Sequence, residues 1–97
     1  ARALARIYGA LANGGSVDGV PVLSPESIDR ARTEQSFGPD LVLQVVTRFG
    51  LGFMLSRPEE PHMRFGPQPG GFGHPGAGGS LGFADPASGL GFGYVMN

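Results

Sequence analysis

The chain has 97 residues, 40% of them apolar, with a formal charge of −1 and no cysteine; all seven basic residues are arginine. That length makes one domain at most, and the charge leaves no basic footprint for nucleic acid or an anionic membrane surface. Without cysteine or lysine the chain has no disulfide, thiolate metal site, cysteine nucleophile, Walker-type phosphate lysine or Ser-x-x-Lys pair of its own.

Eighteen glycines and nine prolines make up more than a quarter of the residues, a composition in which disorder has to be weighed. Against disorder stand seven phenylalanines set in a regular pattern. There is no run of about 20 apolar residues to span a membrane and no basic-then-apolar leader. The chain opens ARALARIYGALANGG already in helical rhythm, without a capping residue ahead of it, and stops at YVMN directly after a strand-like run. Residues 1–97 are therefore expected to be a segment of one larger domain, incomplete at both ends.

Leu4, Ile7, Tyr8 and Leu11 recur at helical spacing and predict an amphipathic helix, ended by Asn13-Gly14-Gly15. SVDGVPVL reads as a small hairpin about Asp18-Gly19, with Pro21 confining its second arm to an edge. Ser24-Pro25-Glu26 has the capping hydroxyl, first-turn proline and first-turn acid of a helix start. This second helix is expected to run to Glu34 or Gln35, on the surface, because its apolar face (Ile28, Ala31) is thin. Residues 36–46 read as a loop with a short apolar insertion.

From Thr47 the period changes to two. Leu-Gly-Phe occurs at 51–53, 81–83 and 90–92, and three C-terminal strands are expected. The first sets Phe49, Leu51, Phe53 and Leu55 against Gly50, Gly52 and Met54. The second sets Leu81 and Phe83 against Gly82 and Ala84, and the third sets Leu90, Phe92, Tyr94 and Met96 against Gly91, Gly93 and Val95. Glycine within a strand costs about 0.5–1 kcal/mol relative to alanine. Repeating it on one face implies a helix pressed close against that face, and the N-terminal helix is the candidate. Asp85 to Gly89 predicts a turn joining the last two strands as an antiparallel hairpin. SRPEEPHMRFGPQPGG, between the first two strands, reads as a long exposed excursion of variable conformation. The fold class is α+β: part of an antiparallel sheet flanked by helices.

The stretch GHPGAGG, Gly73 to Gly79, carries the functional question. A phosphate cradle needs a helix immediately behind its glycines, whereas SLGFADP is strand-like. His62 and His74, even with Glu59 and Glu60, are too few for a protein-bound zinc; His62 reads as a loop residue and the two acids as a solvated pair. A flexible linker would separate two independent units, but this stretch runs straight into a strand. What remains is a strand entrance where backbone approaches a ligand or another strand.

FGHPGAGGSLGFADPASGLGFGYVMN resembles the C-terminal part of serine hydrolases of the class C β-lactamase, penicillin-binding-protein and esterase superfamily. ARIYGALANGG, SPESI and RFGLGFML are similar to its upstream helices and strand, in order, so the resemblance covers nearly the whole chain. It implies that His74-Pro75-Gly76 is the family's third motif, Lys-Thr-Gly or His-x-Gly, with His74 in the lysine's place at the pocket rim. It also implies that the N–H of Ala77 joins the oxyanion hole, and that Gly76 and Gly78 let main chain approach the acyl group. The Ser-x-x-Lys nucleophile and the Tyr-x-Asn/Ser motif of the family are absent here and would lie upstream.

The resemblance thus implies that this segment supplies the third-motif strand and oxyanion-hole backbone to acyl transfer on an upstream serine. No cofactor or metal is implied. The substrate would be a small-molecule ester or amide, and the partner the remainder of the same hydrolase domain. Losing the lysine charge and threonine hydroxyl favours esterase- or peptidase-like chemistry over antibiotic hydrolysis, and the segment alone is expected to be inactive. Three alternatives stay open: a non-catalytic binding or structural module of the same fold, an independent small β-rich module, and for His74 a purely structural rim role.

Overall fold

Alternation of glycine with bulky side chains in the last two strands decides how the layers stack. The computed structural model describes residues 1–97. Its helices are α1 (Arg2–Ala12) and α2 (Pro25–Ala31). Strands β1 (Ser16–Val17) and β2 (Val20–Pro21) form a separate antiparallel pair. The main sheet has six strands in chain order, each antiparallel to its neighbours: β3 (Ser36–Pro39), β4 (Val46–Phe49), β5 (Met54–Leu55), β6 (Phe72–Pro75), β7 (Leu81–Asp85) and β8 (Leu90–Tyr94). The architecture is α+β.

The register sets Gly82 opposite Gly93 and Ala84 opposite Gly91, and α1 lies on that flat strip. A Cβ on Gly82 would stand 2.9 Å from Tyr8 Cδ2, and one on Gly93 would stand 2.7 Å from the Ala5 nitrogen. The helix itself offers small residues, Ala5 and Gly9, at the points of closest approach. This close packing overrides the apolar stripe expected from sequence. Tyr8 and Leu11 are buried, but Ile7 is half exposed, because the helix turns its small residues rather than Ile7 towards the sheet. The main core joins Tyr8, Leu11 and Ala12 of α1 to Ile28, Leu55, Phe72 and Ala84. Phe72 is 1% exposed, and burying such a side chain contributes about 2–3 kcal/mol.

The hairpin about Asp18-Gly19 is present, with both residues at positive φ as a two-residue type I′ connection requires. Ser24 caps α2 by accepting the N–H of Ser27. That helix is shorter than expected: it stops at Ala31, whose carbonyl accepts the Leu51 N–H. Nor does it lie on the surface alone, since Ile28 is 5% exposed and reaches the core.

The main sheet has six strands where three were expected, and the region from 36 to 55 is two hairpins. Residues 36–46 are not a loop: Ser36–Pro39 pairs with Val46–Phe49. Their connection is organised by Asp40, whose Oδ1 accepts the N–H groups of Val42 and Leu43. The first Leu-Gly-Phe is a turn and not a strand. Phe49 pairs with Met54, Gly50 N–H donates to Phe53 O at 2.8 Å, and Gly52 takes the left-handed conformation that period-two counting cannot register. In consequence Phe49 packs beside Met54 on one face, Phe53 joins Leu55 and Phe72 on the other, and Leu51 is exposed.

The proline-rich excursion is also anchored. Ser56 Oγ accepts the Phe65 N–H at 2.9 Å, and Phe65 is 3% exposed against Met54 and Phe83. The segment therefore covers part of the sheet face opposite α1. Phe92 stacks on Phe83 on that face, with ring centroids 5.0 Å apart. No helix is long and apolar enough to cross a membrane.

Candidate active site

The two edges of β6 are treated unequally by their neighbours. Strand β7 pairs all of it, from Phe72 opposite Ala84 to Pro75 opposite Leu81. Strand β5 reaches only Gly73 and Phe72. One edge of β6 is therefore uncovered from His74 onwards, where GHPGAGG begins its turn.

That turn is closed by two backbone bonds, Gly76 N–H to Ser80 O at 2.6 Å and Gly79 N–H to Gly76 O at 3.0 Å. Ala77 follows in the turn that these bonds close, and its N–H has no hydrogen-bond partner in the chain. Ala77 is exposed. A Cβ on Gly76 would make only ordinary contacts, 3.5 Å from Ser80, whereas one on Gly78 would stand 2.6 Å from Met96 Sδ. The space beside Gly78 is thus occupied by the chain's own Met96.

His74 is exposed, with its ring centroid 6.1 Å from that of Phe49. Its Nδ1 lies 2.7 Å from Pro75 O. A carbonyl only accepts, so Nδ1 carries a proton in that contact. The structure brings His74, Gly76 and Ala77 together at one end of β6. No concavity formed by residues 1–97 includes them.

The clefts lie elsewhere. One of about 410 Å³ sets Arg32 and Arg48 across from Gly70 and Gly71. Both guanidinium groups are paired, Arg32 with Asp29 at 3.2 Å and Arg48 with Glu34 at 2.7 Å, so the cleft carries little net field for an anion. Another, of about 550 Å³, contains Glu60 and His62 beside Arg57. Arg57 binds Glu59 at 3.1 Å and approaches Glu60 at 4.0 Å. The Glu59 carboxyl is held below its ordinary range, first by its own backbone N–H and then by Arg57. No three His, Asp or Glu side chains converge as metal ligands would.

Two side chains that sequence reasoning passed over help set β6 in place. Ser56, 1% exposed, holds Phe65 through its hydroxyl and Gly71 O through its N–H. Asp85, 0% exposed, accepts the Gln68 N–H at 3.0 Å. Ser56 sits in an unremarkable Leu-Ser-Arg context; Asp85 stood in plain view as a turn residue, and only its burial distinguishes it.

Comparison with known proteins places this geometry. The Beta-lactamase family model matches residues 1–97. The chain is 44% identical over 98 residues to the esterase/beta-lactamase LipL of Mycobacterium tuberculosis (strain ATCC 25618 / H37Rv), covering all of this chain and 21% of that protein. Among solved structures it resembles a family VIII carboxylesterase (45% identity, TM-score 0.86, 97% of this chain and 24% of that one). It is equally similar in fold to a penicillin-binding protein homolog from Caulobacter crescentus, at 47% identity and TM-score 0.86, over 98% of this chain and 25% of that one. EstA from Arthrobacter nitroguajacolicus Rue61a matches at 42% identity and TM-score 0.76, over 96% and 24%. The chain spans about a quarter or less of the length of these relatives. With all 97 residues matched by the family model, and the strand order and GHPGAGG turn as described, the chain belongs to the β-lactamase family.

Proposed function

We propose that residues 1–97 supply the third-motif strand and an oxyanion-hole amide to a serine hydrolase that transfers acyl groups from small esters or amides. The nucleophilic serine, with the lysine and tyrosine that activate it, belongs to polypeptide outside this segment. Acyl transfer places negative charge on the carbonyl oxygen, and a preorganised N–H aimed at that oxygen lowers the barrier by about 3–4 kcal/mol. The observation that carries this reading is the Ala77 N–H, without a partner in the chain, in the turn directly after β6. A backbone donor left open beside a fixed turn is already oriented, and offers its bond without reorganisation. His74, three residues before Ala77, is an exposed polar side chain where the family has a lysine. That arrangement suits an ester better than the carboxylate of a β-lactam, which favours a fixed cation.

Because no wall of a pocket faces Ala77 within residues 1–97, the substrate cavity needs the rest of the domain and the isolated segment is inactive. The test uses nitrophenyl acyl esters with the full-length protein that carries this segment and with residues 1–97 alone. Turnover with a stoichiometric burst is expected from the first and none from the second. Turnover by the repurified segment would refute the divided site, and an inert full-length protein that still folds would favour a non-catalytic module of the same fold.

A further inference from the structure

We propose that Asp85 is a positioning residue for β6: its carboxylate holds the turn that leads into the strand, and so sets where His74, Pro75 and Gly76 stand. This inference rests on the reading of β6 as the third-motif strand. Asp85 ends β7 and is fully buried. One carboxylate oxygen accepts the Gln68 N–H at 3.0 Å, and the other, Oδ1, has no hydrogen-bond partner and no solvent contact.

The chain from Gln68 to β6 is short and doubly tied. Gly71 N–H returns to Gln68 O at 3.4 Å, and Gly71 O accepts the Ser56 N–H at 3.0 Å. Phe72, the next residue, opens β6 and is 1% exposed. The same turn is pressed onto the carboxylate from above. Gly66, at φ 85°, leaves space that a Cβ would close, standing 2.7 Å from Asp85 Cβ and Oδ2. The acid, the turn and the strand are therefore one rigid unit, with Gln68 as its hinge point.

A buried carboxylate oxygen without a donor is unfavourable, because the group has lost water and gained only one bond in return. For stability alone an apolar side chain of similar volume would serve as well or better. What leucine cannot do is accept the Gln68 N–H. Activity and stability should therefore separate at this position.

The experiment compares Asp85→Leu, Asp85→Asn and Gln68→Pro in the full-length protein, reading kcat and KM per titrated active site, Tm, and amide hydrogen exchange over residues 72–78. Asp85→Leu is expected to keep or raise Tm while kcat falls about tenfold or more with KM little changed, as for a misplaced catalytic strand. Asp85→Asn retains an acceptor for Gln68 and should stay within about threefold of the parent. Gln68 is exposed, so Gln68→Pro deletes the donor without removing a buried side chain. It leaves the Asp85 carboxylate without a partner, so Tm should fall while kcat per titrated site reproduces the loss. Should Asp85→Leu not fold, this second variant carries the test. Exchange over 72–78 should quicken in Asp85→Leu and Gln68→Pro but not in Asp85→Asn, whether or not the protein turns over an ester. Unchanged kcat and unchanged exchange in Gln68→Pro would overturn the proposal, as would a loss of activity traced wholly to unfolded protein. An inactive parent would count against the hydrolase reading, leaving the exchange experiment to decide the role of Asp85.

Discussion

Gly91 of β8 touches Gly9 of α1 so closely that a Cβ on Gly91 would overlap the Gly9 backbone and stand 2.7 Å from the carbonyl carbon of Tyr8. Two elements far apart in sequence meet here main chain to main chain. A methyl group cannot be accommodated by rotating a side chain, because backbone stands on both sides. Gly91→Ala is therefore expected to destabilise the folded protein by about 1–3 kcal/mol, the usual cost of overpacking. Ile7→Ala, on the same helix but half exposed, should cost about 0.5 kcal/mol or less. Urea unfolding of both variants measures the difference; equal effects would mean that α1 does not sit on the glycine strip.

The hairpin between β3 and β4 depends on one half-buried acid. Asp40 accepts N–H groups from Leu43 and Val42, and these bonds, with a smaller contribution from Thr47, hold its carboxyl below the ordinary value of 3.8. A carboxyl with a lowered folded-state pKa adds stability that is complete above the unfolded value and is lost as pH falls through the folded one. Amide protection at Val42 and Leu43 should thus be constant at neutral pH and collapse below about pH 4. In Asp40→Ala it should be weak at every pH.

The C-terminal half of this fold was legible because its signal is local. Gly82, Gly91 and Gly93 alternate with Phe83, Phe92 and Tyr94 at period two, and that pattern names both the strands and the helix-facing side. The stretch from 36 to 55 was not, because its hairpins turn on features that pattern counting misses. Asp40 builds a turn with its own carboxylate, and Gly50-Leu51-Gly52-Phe53 looks like strand alternation until Gly52 takes a positive φ. The rotation of α1 away from Ile7 was hidden for a related reason: hydrophobicity ranks isoleucine inward, whereas closest approach ranks glycine and alanine inward. At the candidate site, His74, Gly76 and Ala77 are proposed through family likeness. The open edge of β6 beside His74 comes from β5 ending after two residues, a matter of register between distant strands that no single stretch records.

Tyr8 gives the fold an alkaline limit. Burial raises its phenol pKa above 10.0, since charge is disfavoured away from water. A raised folded-state value means that the stabilising contribution is full below the unfolded pKa and declines as pH rises beyond it. Stability should therefore fall more steeply above pH 10.0 in the parent than in Tyr8→Phe, which has no phenol to ionise. Unfolding midpoints of the two proteins at neutral and alkaline pH test this, and parallel curves would contradict it.

The oxyanion-hole role proposed for Ala77 can be tested by removing its backbone N–H. Ala77→Pro removes the backbone N–H and little else: the residue is exposed, and its amide bonds nothing within the chain. In the full-length protein kcat for a nitrophenyl ester is expected to fall about 10²–10³-fold with KM little altered, the signature of a donor that acts on the transition state. Ala77→Gly keeps the N–H and should stay within about threefold of the parent, because loop flexibility is the only change. The split between these two variants is the decisive measurement. Equal losses would point to loop geometry, and a proline variant as fast as the parent would remove Ala77 from the chemistry.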